Sequence, residues 1–241
     1  MIESVRRREQ RTRVMRDQLV SRVTAAAGVL TVGLTVIAIG LFASMSPPTE
    51  GDSAQTVASF FADHHAMMVV ALYLAALSLG FNLAFYVGLR EVLHRAAPED
   101  EWLGSLGAIA GAVFIAVAFA SFAVAMQLAF REGTGDPNTQ RTLFDLYGFV
   151  LAMTGVPTAV SAVAISAVIL RSGVFTRWAA WWGFCVAGLH LVSVGSVAQD
   201  GLFSPSVFAG LVAPTGFEIW VLMLSFLLLT SGKGEPARHR A

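Results

Sequence analysis

Six long apolar runs, at about 23–46, 65–89, 102–130, 143–170, 178–199 and 207–231, alternate with short charged or proline-containing segments. Each run is about 20 residues or longer, enough for a helix to cross roughly 30 Å of bilayer hydrocarbon. In that solvent each segment must satisfy its own backbone hydrogen bonds, so the pattern predicts an all-α fold: a polytopic bundle of six transmembrane helices. Composition leaves little alternative, because 56% hydrophobic and 13% charged residues are too few polar side chains to cover a soluble domain. The expected organisation is a basic cytoplasmic tail at 1–22, a transmembrane domain at 23–231 and a second cytoplasmic tail at 232–241.

Basic residues set the expected orientation. With the N-terminus inside, the inner segments carry Arg6, Arg7, Arg8, Arg11, Arg13, Arg16, Arg22, Arg90, Arg95, Arg171, Arg177, Lys233, Arg238 and Arg240, and the outer ones only Arg131 and Arg141. This asymmetry predicts both termini in the cytoplasm, with the chain in a bacterial inner membrane and the lipid bilayer as its first partner. The basic tail either lies on the anionic inner leaflet or is a solvated extension. With zero net charge, nothing points to nucleic acid. The first apolar run exceeds the 7–15 residues typical of a secretory signal and reads as an uncleaved helix. Trp102, Trp178, Trp181 and Trp182 fall at the inner ends of spans three and five, where an aromatic belt is expected.

Local signals mark the joints. Pro47–Pro48 closes the first helix, and Asp52 with Gln55 reads as a capping box opening a short interfacial helix with Val57, Phe60 and Phe61 on one face. Gly107 and Gly111, four residues apart, would let another helix approach span three closely. Asp136-Pro137-Asn138 is a turn, and Pro157 predicts a kink in span four. Ser204-Pro205 is a cap and first residue for span six.

The least ordinary chemistry lies in that last span. Glu218 sits within hydrocarbon, where a carboxylate costs roughly 2.5–3.5 kcal/mol on insertion scales, so it must be protonated, paired or facing a polar cavity. Pro214, one turn earlier, frees a backbone carbonyl near Gly210. His190 of span five falls at a similar depth, so an interhelical His–Glu pair is a candidate for proton chemistry, although a purely structural hydrogen bond is the more frequent outcome for such pairs. Asp145 is a candidate second acid, and equally a partner for Arg141 four residues earlier. Tyr147, Trp220 and Gln127 complete an expected ligand pocket among spans four to six. Asn82 and Tyr86 share a face of span two and are expected to bond across helices.

Other chemistries find no support. Asp63, His64 and His65 are tempting, but adjacent helical residues point about 100° apart and no His-x3-His spacing helps them, so no metal site is expected. Cys185 is the only cysteine, which excludes an intrachain disulfide. There is no Gly-x-Ser-x-Gly, phosphate loop, His-Glu-x-x-His or paired-Cys motif, and no cofactor is expected.

Taken with the stretches GDSAQTVASFFADHHAMMVVALYLAAL, FYVGLREVL, TLFDLYGF, RSGVFTRWAAWWGF and EIWVLMLSFLLL, the chain resembles a large bacterial family of small six-span membrane proteins of unknown function, common in actinobacteria and DUF4386-like. The resemblance implies a helical bundle in the cytoplasmic membrane and brings no reaction with it. Three functions are consistent with these residues. The first is a bundle that binds a hydrophobic small molecule, a lipid or a partner helix in its buried polar pocket. The second is an intramembrane acid/base enzyme, such as a cyclase or isomerase acting on an isoprenoid- or polyketide-type substrate. The third is proton-coupled efflux.

Overall fold

The computed structural model describes residues 2–131, 134–196, 198 and 201–231, and their side chains except at 2–13, 206 and 231. The expected tail arginines at 6–13 and the C-terminal Lys233, Arg238 and Arg240 therefore lie outside the described side chains. All regular structure among the described residues is helical. Five stretches, Val14–Ser44, Ala54–Ala96, Pro98–Phe130, Pro137–Ser172 and Val207–Thr230, are long and apolar enough to cross a membrane.

Helix α1 runs Ile2–Ser44. Its backbone is one helix from the basic segment into the first apolar run, with no joint at residue 22. Helix α2, Ala54–Ala96, is likewise continuous over 43 residues, about 64 Å at 1.5 Å per residue and twice the hydrocarbon thickness. The separate interfacial helix expected after Pro48 is absent, because Val57, Phe60 and Phe61 continue directly into the span and are buried there. Its N-cap is Ser53, whose side chain accepts from the Thr56 amide at 3.1 Å. Asp52 instead accepts from the amide and hydroxyl of Thr49, at 2.7 and 3.0 Å, and so builds the preceding turn rather than the helix cap.

A short 3-10 turn, Pro98–Asp100, leads into α3, Glu101–Phe130. The fourth apolar run is two helices, α4 (Pro137–Met153) and α5 (Gly155–Ser172). They meet at Thr154, which keeps right-handed helical angles (φ −61°, ψ −19°); Pro157 has no N–H to offer the Met153 carbonyl there, so the run is interrupted as a kink. Gly173, at φ 65°, closes α5 in the left-handed conformation that glycine adopts without strain. Helix α6 is Arg177–Val194, a π-helical segment covers Pro205–Val212, and α7 is Ala213–Ser231. Ser204 caps the π segment through the Val207 amide at 3.4 Å, but the wider helix persists until Ala213, beside the missing N–H of Pro214.

The helices pack as a closed ring: α1 against α2, α2 against α3, α3 against α5, α5 against α6, α6 against α7, and α7 back against α1. Helix α4 lies against α3, α2 and the π segment. At one end Arg171 of α5 meets Asp100 at 2.5 Å, and Arg95 of α2 pairs with Asp17 of α1. At the other, Gly148 of α4 neighbours Pro205 and Glu50. The 172–205 segment, with α6 in it, thus runs from the first end to the second.

Small residues allow the close contacts. A Cβ on Gly107 would lie 2.8 Å from Ile165 of α5, and one on Gly111 2.6 Å from the Tyr86 ring of α2, so the Gly107/Gly111 pair receives two different helices. Large apolar side chains point outward, among them Phe226 (67% exposed), Ile109 (64%) and Val87 (62%), as they do where lipid replaces water. Trp102, Trp178 and Trp181 are also exposed. Trp182 differs: its indole N–H donates to the Gly216 carbonyl at 3.1 Å and ties α6 to α7.

Candidate functional site

The α4–α5 kink and the π–α junction open onto the same space. A cavity of about 450 Å³ is bordered by Thr154 at the α4–α5 kink and by Pro214 and Gly210 at the π–α junction. Its wall also draws on α1, α2, α3 and α6, so it is broader than the expected pocket among spans four to six. Leu72, Leu79, Phe114, Phe122, Phe144 and Phe217 make most of that wall apolar. The volume and character suit a small-molecule site.

A few polar groups face this space, and their bonds differ in kind. His190, only 4% exposed, lies edge-on to Phe217 with ring centroids 6.1 Å apart. Its ring lies beside the Ala213 backbone, and its buried Nε2 has no hydrogen-bond partner; whether Nε2 donates or accepts depends on the tautomer. Thr35 of α1 and Glu218 face each other across the cavity wall, and the Glu218 Oε2 is buried without a partner. Asn82 of α2, 1% exposed, has an unpartnered Oδ1. The expected cross-helix bonds from Asn82 Oδ1 and the Tyr86 hydroxyl are not made.

The expected His190–Glu218 bond is not formed through the free atoms: both residues border the cavity, each with one atom unsatisfied. Tyr147 borders it as well. Trp220 does not. It is fully buried between α6 and α7, its Nε1 donating to the Ala179 carbonyl at 2.9 Å, because a position two residues beyond Glu218 turns about 200° away on a helix. Gln127 is exposed and borders a separate recess with Arg131, Thr134 and Gln140. Asp145 is outside the cavity wall and accepts from Arg141 at 3.0 Å, the local ion pair that its spacing allows.

The rim is built from a contact that sequence spacing does not reveal. Arg141 also donates to the backbone carbonyls of Glu50 and Asp52, pinning the Pro47–Asp52 loop to α4, and Pro47, Pro48, Thr49 and Glu50 of that loop close one side of the cavity. Asp52 stabilises the same loop. Its carboxylate is held below the usual range, first by the Thr49 amide and then by the Thr49 hydroxyl. Thr35 was also missed, since a lone threonine in an apolar run gives no signal of the acid it will meet. Among the described residues no three His, Cys, Asp or Glu side chains gather as a metal would need. His64 and His65 turn to the carbonyls of Phe60 and Ala62, at 3.1 and 3.2 Å.

No curated protein and no solved structure matches the chain. The model of a family described as a domain of unknown function, DUF4386, matches residues 26–232, which takes in every helix that borders the cavity. A membrane-type helical bundle built around this cavity, matched over nearly its whole length, belongs to the DUF4386 family.

Proposed function

We propose that this protein holds a hydrophobic small molecule or lipid in the cavity between its helices, with the apolar body against the aromatic wall and a polar end at His190, Glu218 and Asn82. One observation carries the reading: a cavity of about 450 Å³ coincides with three buried polar atoms that have no partner. Each such atom costs about 1–3 kcal/mol when left unmade, and an occupant that bonds them would recover that cost. We place the bundle in a bacterial inner membrane with both termini cytoplasmic, on the strength of the arginine asymmetry. Helix α6 supplies the sixth crossing: its 18 residues reach about 27 Å, and it leads from one end of the ring to the other.

Native mass spectrometry of the full chain in mild detergent tests this reading. Wild type should carry a small molecule that Glu218→Leu loses. An empty wild type, as stable as the variant, would count against it.

The second reading is acid/base catalysis on an apolar substrate, favoured because a free carboxyl oxygen and a free imidazole nitrogen border one aromatic-walled space. Asp145, engaged with Arg141 outside that space, takes no part. Glu218→Gln membranes that convert candidate substrates as wild type does would end this reading.

A further inference from the structure

We propose that the occupant is a lipophile dissolved in the bilayer and free of anionic groups, and that it reaches the cavity sideways, between α1 and the π-helical segment. The proposal rests on the ligand site above and adds its route and its class. The route follows from an incomplete ring. Helices α1 and α7 close tightly where a Cβ on Gly28 would run into the Ser225 hydroxyl, and they still face each other at Thr35 and Glu218. Beyond that point the neighbour of α1 would be the π segment, which packs instead on α4, α6 and α7. Pro214, with no N–H for the helix, lets the chain depart from the line of α7 there. From Thr35 to Ser44, about 13 Å of helix, α1 thus has a seam with α2 but none with the π segment.

Both lips of that gap are apolar and open. Ala43 of α1 and Leu211 of the π segment are exposed, yet both border the cavity, and both lie in stretches apolar enough to cross a membrane. Another side is closed by the Pro47–Asp52 loop, pinned to α4 by Arg141. The gap therefore faces hydrocarbon, and a molecule already in the bilayer can enter without crossing water. The charges of the wall set the class. Among the described residues that border the cavity, Glu50 and Glu218 are acids and none is Arg or Lys. Arg141, which holds the loop, is paired with Asp145. A phosphate or carboxylate drawn in from the bilayer would lose its hydration with no counter-charge to replace it. Hydrogen bonding sets no such preference, because the Asn82 amide and the Tyr147 hydroxyl can each donate and accept. An uncharged end, whether hydroxyl or carbonyl, is accommodated.

Photoreactive dodecanol and dodecyl phosphate, each with a diazirine at the far end of its chain, test route and class together. The full chain is reconstituted in phosphatidylcholine vesicles at neutral pH and illuminated at successive times after a probe is added. Adducts are located by peptide mass spectrometry and normalised to those on the lipid-facing surface. Dodecanol should label wall residues such as Leu72, Leu79 and Phe122 at least about tenfold more than the phosphate does. Leu211→Trp or Ala43→Trp, each adding a ring at one lip of the gap, should slow wall labelling severalfold. Ile109→Trp, on the exposed face of α3 and away from the cavity, should not. Equal wall labelling by the alcohol and the phosphate would overturn the class, and an unchanged rate in both lip variants would overturn the route. Either result leaves the ligand site standing. A wall that neither probe labels, beside a labelled lipid-facing surface, would overturn the ligand site as well.

Discussion

Two residues apart on α7, Trp220 and Glu218 enter different surroundings. Trp220 fills the seam between α6 and α7, fully buried, with its one polar hydrogen placed on Ala179. Glu218 faces the cavity with a carboxyl oxygen unsatisfied. Missing partners alone do not separate the two regions: the Ser166 and Tyr86 oxygens also lack them, but these residues pack into the notches left by Gly183 and Gly111. There the missing bond is a local cost with no room for a remedy. At Glu218, His190 and Asn82 the missing bonds border a void, and only that combination gives a ligand something to do.

The largest test of the contrast is Trp220→Ala. Emptying the seam should cost about 3–5 kcal/mol, seen as a marked fall in the unfolding temperature of the purified chain. A loss no larger than that of an exposed substitution would mean that the seam is not the structural half. Gly155→Ala comes next. Its new methyl would meet the His190 carbonyl and the Ser193 and Val194 side chains, and such overpacking costs about 1–3 kcal/mol. Gly33, with nothing within 4 Å of an added Cβ, is the matched control: alanine there should be neutral or stabilise by up to about 1 kcal/mol.

The fold was legible because hydropathy runs and proline positions are local signals. Pro157 announced the α4–α5 kink and Pro214 the π–α junction, and Gly107 with Gly111 announced close packing. Where runs were cut too short, as at Val57–Phe61, the error lay in treating a charged flank as an end: α1 and α2 simply continue beyond the hydrocarbon length. The site was half legible. Glu218 and His190 stand out as polar residues in apolar runs, and Tyr147 borders the same cavity. Trp220 and Gln127 lie elsewhere, because exposure to a cavity depends on the angle about the helix and on which neighbour fills the gap. The Arg141 contact with Glu50 and Asp52 joins segments about ninety residues apart, beyond any spacing rule.

On the cavity side, His190→Leu should separate stability from occupancy. It removes an unsatisfied nitrogen and also the ring's contact with the Ala213 backbone, two effects of about 1 kcal/mol each and opposite sign, so stability should change by no more than about 1 kcal/mol while the bound molecule is lost. A variant that unfolds as readily as Trp220→Ala would erase the distinction between the two regions.

The smallest effect concerns the rim. Because Thr49 holds the Asp52 carboxylate below its usual range, the folded chain binds that proton less readily than the unfolded one. The contribution is therefore fully present above the ordinary carboxylate pKa of about 4 and is lost as pH falls through the lowered folded value. Asp52→Asn should lower the unfolding temperature at neutral pH, and the two curves should converge as pH drops below about 4. Since Arg141 grips the Asp52 carbonyl in the same turn, retention of the bound molecule should weaken over that acid range in wild type, and already at neutral pH in the variant. Curves that stay parallel down to pH 3 would show that the rim loop is held by Arg141 alone.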